Sequence, residues 1–242
     1  MERIIIVPDV HCRDFYKPVL KIKDTKIVFL GDYLDPYQYE NLSFEKGLEN
    51  LEEIIQFKKN NPDNVTLLLG NHDFNYVWQK NWATRFNSEF SSEAHRLYLD
   101  NFKLFEPYKL IGDILFTHAG VSDGWIKYHK IEGNIPEYID INWNIFLYGA
   151  VGPKEESYLP IFDCGKIRGG WEKYGGIFWN DVREMDYLNP IDYVQIFGHT
   201  QLGLTGDTIE MKDEPFKGKP RYCCDSRSIF VYENNQLTRY EN

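Results

Sequence analysis

The 242-residue chain is short of cysteine, of long apolar runs and of positive charge. Its four cysteines, Cys12, Cys164, Cys223 and Cys224, form no Cys-x-x-Cys pair and lack the regular spacing of a secreted disulfide scaffold, so a reducing cytoplasm is the expected location. The first aliphatic run, Ile4 to Val7, stops at Pro8 and Asp9 after four residues. That is far short of a signal-peptide core or of the roughly 20 residues that span a membrane. Lys and Arg number 27 against 37 Asp and Glu, a net charge of -10. Neutralising the phosphates of duplex nucleic acid or an anionic membrane takes clustered cations, so neither is expected as a partner.

What is present is ample apolar material, 43% hydrophobic with 16% aromatic residues, enough for the core of one large domain. Three segments share one layout: residues 3 to 11, 26 to 35 and 65 to 73 each run from aliphatic residues into acid, amide or imidazole. Each reads as a buried strand that delivers polar groups at its carboxyl end. Between the second and third, Phe44, Leu48, Leu51 and Ile55 recur at helical spacing, and the helix should stop near Asn60-Asn61-Pro62. Strand, helix, strand with short links predicts a parallel α/β sheet, in which ligands sit beyond the carboxyl ends of the strands.

Residues 91 to 105 read as a second helix with Ser91 or Ser92 as N-cap. Residues 108 to 120 read as two strands joined at Gly112-Asp113, the second ending in His118. The stretch 121 to 180, rich in Trp, Tyr, Gly and Pro, reads as a cap or insertion at the rim with helices near 122 to 130 and 136 to 149. Residues 192 to 200 repeat the strand-then-polar layout, and 221 to 240 read as closing strands around a turn at Glu233-Asn234-Asn235. With no internal repeat and no linker, one domain over 1–242 is expected.

Collected in order, the strand ends give Asp9 and His11, Asp32 and Asp35, Asn71-His72-Asp73, His118 and His199. Four of the six histidines fall at these positions. Imidazole with carboxylate suits borderline divalent ions such as manganese, iron or zinc. A paired-ion site of that kind is a familiar means of phosphoryl chemistry, and it would let an acidic chain bind an anion locally.

Five motifs, "DVH" at 9 to 11, "GDYLD" at 31 to 35, "GNHD" at 70 to 73, "THAG" at 117 to 120 and "GHT" at 198 to 200, together resemble the calcineurin-like metallophosphoesterases. Within that superfamily the chain is similar to the bacteriophage-type serine/threonine phosphatases and diadenosine tetraphosphate hydrolases. The resemblance implies a central β-sandwich flanked by helices, four layers in the order αββα, and two divalent ions, manganese first. It implies that Asp9 and His11 hold one ion, that Asp32 bridges both, and that Asn71, His118 and His199 complete the other. It also implies His72 as general acid, oriented by Asp35. Adjacent residues at a strand end point in different directions, which allows Asn71 and His72 separate tasks.

The chain departs from the pattern in three places. The motif after Asp35 has Pro36 where an arginine clamps the phosphate in many relatives, and proline is no substitute for a planar fork of donors. Arg168 and Arg183 are the candidate replacements. Gln201 stands where a further histidine is common and is a weaker candidate ligand, and the closing motif reads Asp225-Ser226-Arg227. Asp73, Cys12, Cys223, Cys224, His95 and His129 read as structural or surface residues. The implied activity is hydrolysis of a phosphate ester, first a phosphomonoester on a small molecule, nucleotide or phosphoprotein. A dinucleoside polyphosphate or nucleotide hydrolase or a phosphodiesterase would use the same site, and a metal-binding interaction scaffold is the alternative that is not an enzyme.

Overall fold

A computed structural model of the chain describes residues 3–149, 158–202, 207–213 and 215–241. These fall into two compact units. The first comprises 1–106, 203–207 and 226–242, the second 107–202 and 208–225. Each is built around one mixed sheet with helices, which places the chain in the α/β class.

In the first unit the strands β1 (Ile4–Val7), β2 (Lys26–Phe29), β3 (Val65–Leu68) and β4 (Phe105–Glu106) are parallel neighbours. The hairpin of β10 (Phe230–Glu233) and β11 (Gln236–Arg239) joins the β1 edge antiparallel. The predicted parallel sheet is present across β1, β2 and β3, and the C-terminal hairpin makes the whole sheet mixed. The antiparallel part comes from the C-terminal segment, where Asn234 and Asn235 both take positive φ, 53° and 61°, the backbone of a tight two-residue turn. Every residue of β1 and β3 is buried, which explains unbroken aliphatic runs instead of alternation.

Helix α1 (Phe44–Asn60) starts where Ser43 accepts a hydrogen bond from Lys46 N, with Glu45 in its first turn and Lys58 and Lys59 in its last, as the helix dipole favours. Its buried face includes Leu48, Leu51, Ile54 and Ile55. The same face braces the loop after β1: Asn50 Nδ2 donates to the carbonyls of Cys12 and Arg13 at 3.0 and 3.3 Å. A methyl group on Gly47 would lie 2.2 Å from Cys12 Sγ, so helix and loop touch without a side chain between them. After the short α2 (Asp73–Val77), the expected helix over 91 to 105 is shorter. Helix α3 spans Ser91–Asp100, then a single helical turn leads into β4. Ser91 and Ser92 do not cap it; Asn87 Oδ1 accepts from Glu89 N and Phe90 N just upstream, and Ser91 Oγ donates to Ser88 O.

The second unit has the strand order β5-β6-β7-β9-β8, with β5 (Tyr108–Ile111), β6 (Ile114–Thr117), β7 (Val194–Phe197), β8 (Ile209–Met211) and β9 (Arg221–Cys223). β6, β7 and β9 are parallel; β5 and β8 pair antiparallel at the edges. Gly112-Asp113 makes the expected turn. Helices α4 (Asp123–His129) and α5 (Ile135–Tyr148) begin at Ser122 and Asn134, whose side chains accept from Trp125 N and Glu137 N. Residues 150–157 of the expected insertion lie outside the described residues.

Candidate metal centre and its acid dyad

In the first unit the polar residues lie in the turns that follow β1, β2 and β3. Three are held left-handed, with φ of 44° at His11, 53° at Asp32 and 62° at Asp35, a conformation non-glycine residues keep only when surrounding bonds enforce it. Gly31, at φ 103°, lies so close to the next loop that a Cβ would meet Gly70 N at 2.4 Å. Asp73 ties the two loops together. Its Oδ2 accepts from Asp32 N at 2.9 Å and Gly70 N at 2.7 Å, and its Oδ1 from Tyr33 N at 3.0 Å and the Tyr98 hydroxyl at 2.6 Å. Burial first and the Asp32 charge second push the Asp73 carboxyl up to about 7, against the pull of those donors.

Asp9, His11 and Asp32 bring one ligand atom each to within 4.8 Å of one another, all buried. The His11 Nδ1 lies 2.8 Å from the Leu34 carbonyl, which can only accept. Nδ1 therefore carries the proton and Nε2 presents its lone pair, 3.5 Å from Asp32 Oδ2. Burial holds the His11 pKa well below its ordinary value, so the ring stays neutral, the form that binds metals. Two buried carboxylates beside a neutral imidazole lack cationic charge at their centre, and a divalent ion supplies it; the donor set fits such an ion. Asn71, in the turn after β3, is also buried.

The imidazole of His72 stands edge-on to that of His11, 5.2 Å between ring centres. Its backbone N donates to Asp32 Oδ1 at 2.9 Å, and its Nδ1 donates to Asp35 Oδ2 at 2.8 Å. Asp35 is fully buried and satisfied by two further donors. Asn75 Nδ2 reaches Oδ2 at 2.7 Å, and the Tyr76 hydroxyl reaches Oδ1. Sequence reading missed Asn75, Tyr76 and, above all, Arg85, whose Nη2 lies 3.0 Å from His72 Nε2. Arg85 sits in an aperiodic loop and carries no motif, so nothing in the one-dimensional pattern marks it. Cys12 is buried, and burial pushes its thiol pKa up, which suits a packing residue and not a nucleophile.

In the second unit His118 directly follows β6 and His199 lies two residues past β7. Both are buried, His118 Nε2 and His199 Nδ1 are 3.2 Å apart, and the Trp179 ring stands edge-on to His199 at 5.7 Å. Two imidazoles this close cannot both be cations without strong repulsion, and both can serve one metal ion. Gln201 is exposed. Arg168 and Arg183 both turn to Asp181, with Nε to carboxylate distances of 2.7 and 2.8 Å. Arg168 Nη2 also donates to Thr200 Oγ1 at 2.8 Å, one residue past His199. Burial would raise the Asp181 pKa, but the two guanidiniums more than offset it and hold the carboxyl below its usual range.

Two sheets with helices, a buried carboxylate and imidazole donor cluster and an oriented histidine define the class of metal-dependent phosphoester hydrolases. The family "Calcineurin-like phosphoesterase" matches residues 2–200, and the chain belongs to it. Among solved structures it is similar to a cold-active protein-tyrosine phosphatase of a psychrophilic Shewanella, with 18% identity, 99% of this chain and 77% of that chain covered, and a TM-score of 0.61. It is also similar to a protein serine/threonine phosphatase from Saccharomyces cerevisiae, with 13% identity, 99% and 79% covered, and a TM-score of 0.55. At these identities the likeness concerns the fold, and it does not single out the bacteriophage-type branch. Comparison with curated proteins gave no match. Among the described residues no helix is long and apolar enough to cross a membrane.

Proposed function

We propose that the chain hydrolyses a phosphate ester, first a phosphomonoester, with His72 as general acid. One observation carries the reading: a buried Asp9, His11 and Asp32 donor cluster adjoins a His72 ring held by Asp35, the His11 and His72 centres 5.2 Å apart. A cluster alone would suit a binding scaffold; His72 belongs to neither candidate ligand group among the described residues, yet Asp35 orients its ring, the support a general acid needs.

In this reading Asp9 and His11 hold one divalent ion, Asp32 serves both, and Asn71, His118 and His199 hold the second, with Gln201 a weaker candidate for the first. Manganese is the first choice, then iron or zinc. Bound there, such ions would supply polarisation of the phosphate and a water of lowered pKa. Asp35 fixes Nδ1–H; Nε2, which accepts from Arg85 in this structure, is the atom that would take up a proton and hand it to the departing oxygen once the Arg85 donor turns to the phosphate. Arg168 and Arg183 remain proposed substrate contacts from the insertion, and we take 1–242 as one domain of the bacteriophage-type branch acting in the cytoplasm.

The test is hydrolysis of p-nitrophenyl phosphate and its bis ester with manganese added, alongside a count of bound metal. Turnover of the monoester ahead of the diester is expected. Turnover of neither, with two metals bound, sinks the proposal and leaves the scaffold.

A further inference from the structure

We infer that Arg85 is the phosphoryl-binding cation of this site, a position on the chain far from Pro36, where the second motif offers none. The inference deepens the phosphoesterase reading and rests on it.

Among the arginines that have been described above or lie near the dyad, Arg85 differs in its partners. Arg168 and Arg183 each have a carboxylate partner in Asp181. Arg13 and Arg227 share Glu40, at 2.9 and 3.1 Å. No carboxylate among the described residues pairs with Arg85: its Nη2 contacts His72 Nε2 and its Nη1 is buried with no hydrogen-bond partner. A guanidinium only donates, so a buried N–H of this kind calls for an oxyanion.

The side chain is also held in place. Its Cζ lies 3.7 Å from the centre of the Tyr37 ring, a cation–π contact. The loop that carries it is clipped on both sides to the residues that hold Asp35. Asn75 Oδ1 accepts from Trp82 N and Ala83 N at 2.9 and 2.6 Å, and the Tyr76 hydroxyl accepts from Asn87 N at 3.1 Å. Asn75 and Tyr76 thus fix the general acid through Asp35 and the guanidinium through the loop. Arg85 itself is held at φ 68°, a conformation that a non-glycine residue keeps only when its surroundings enforce it. Beside it, with Pro36, Tyr37, Phe86 and Asn87, opens a cleft of about 420 Å³, room for the group that leaves. A phosphate seated there receives the Arg85 fork on its nonbridging oxygens while His72 Nε2 faces its leaving oxygen.

The experiment uses the manganese-loaded protein and inorganic phosphate as probe, by calorimetry and as a competitive inhibitor of p-nitrophenyl phosphate hydrolysis. Arg85→Ala should weaken phosphate binding about 10- to 100-fold, as expected for loss of a charged hydrogen-bonding partner, and raise KM in proportion while metal content stays unchanged. Arg85→Lys, which keeps the charge but loses the planar fork and its stacking on Tyr37, should fold as wild type and bind phosphate with intermediate affinity. Guanidinium ion added to Arg85→Ala should recover part of the lost affinity. Phosphate affinity within twofold of wild type in Arg85→Ala, or a loss that follows lost metal, overturns the assignment. If wild type turns over no ester, the phosphoesterase reading fails by itself, and calorimetry still decides whether Arg85 holds the anion.

Discussion

Replacing Asp73 by asparagine changes one atom and should unsettle the whole metal rim. The carboxylate takes four hydrogen bonds, two on each oxygen. An amide keeps one oxygen: turned toward Asp32 N and Gly70 N, it leaves its NH2 against Tyr33 N and the Tyr98 hydroxyl. Tyr98 can rotate to accept, but the Tyr33 N–H cannot, and an unsatisfied buried donor costs about 1–3 kcal/mol. The two retained bonds lose their charge assistance, roughly half their strength. Relief of the repulsion between Asp32 and Asp73 offsets a part. The net loss is about 2–4 kcal/mol, and for a chain of this length that lowers the melting temperature by roughly 5–15 °C. Thermal unfolding followed by circular dichroism, with and without manganese, measures it. Because an ion on Asp32 neutralises the charge whose relief provides the offset, the gap between wild type and variant should widen when metal is added. A variant that melts within 2 °C of wild type in both conditions would falsify the role given to Asp73.

Other outcomes follow from the same geometry. His72→Asn should keep its metal and lose about 10²- to 10⁴-fold in turnover, whereas Asp32→Asn should lose metal; metal analysis of both variants checks this, and loss of metal from His72→Asn refutes the division of roles. Removing metal with a chelator should lower the melting temperature, and manganese should restore it in a concentration-dependent way, since binding only to the folded state stabilises it; a melting curve indifferent to both speaks against a bound ion. Asp181→Asn should destabilise by about 1–3 kcal/mol, since it leaves Arg168 and Arg183 without their carboxylate. Its folded pKa is depressed, so that contribution is present above the ordinary carboxylate range and is lost as the pH falls through the folded value. Urea titrations of wild type and variant should therefore begin to converge below about pH 4 and meet only once the pH has fallen past the folded value, and a gap unchanged by that descent contradicts the assignment.

Much of the first unit was legible because burial on both faces writes strands as aliphatic runs, and each run ends in the residue that the turn presents: Asp9 and His11 after β1, Asp32 and Asp35 after β2, Asn71 and His72 after β3. The face of α1 was legible from the spacing of Phe44, Leu48, Leu51 and Ile55, and its end from the Asn60-Asn61-Pro62 stop. The parallel pairing of β1, β2 and β3 was legible, whereas the antiparallel edge was not, because strand direction there depends on where a distant hairpin docks. Arg85 was not legible at all. Its place follows from Asn75 and Tyr76 gripping backbone N–H groups seven to eleven residues onward, a tertiary relation that no periodicity encodes. Arg168 and Arg183 were named from charge alone, and the sequence could not foresee that both pair with Asp181.

The left-handed residues His11, Asp32, Asp35, Arg85 and His199 have a consequence for anyone seeking a sturdier version of this protein. Each forgoes roughly 1 kcal/mol or more relative to relaxed backbone, so together they withhold an amount comparable with the net stability of many domains. Glycine at any one of them would relieve the chain and remove a working side chain in the same stroke. Thermostabilisation is therefore better sought in the strands and helices, and a stabilised variant selected without regard to activity should accumulate its changes at these five turns.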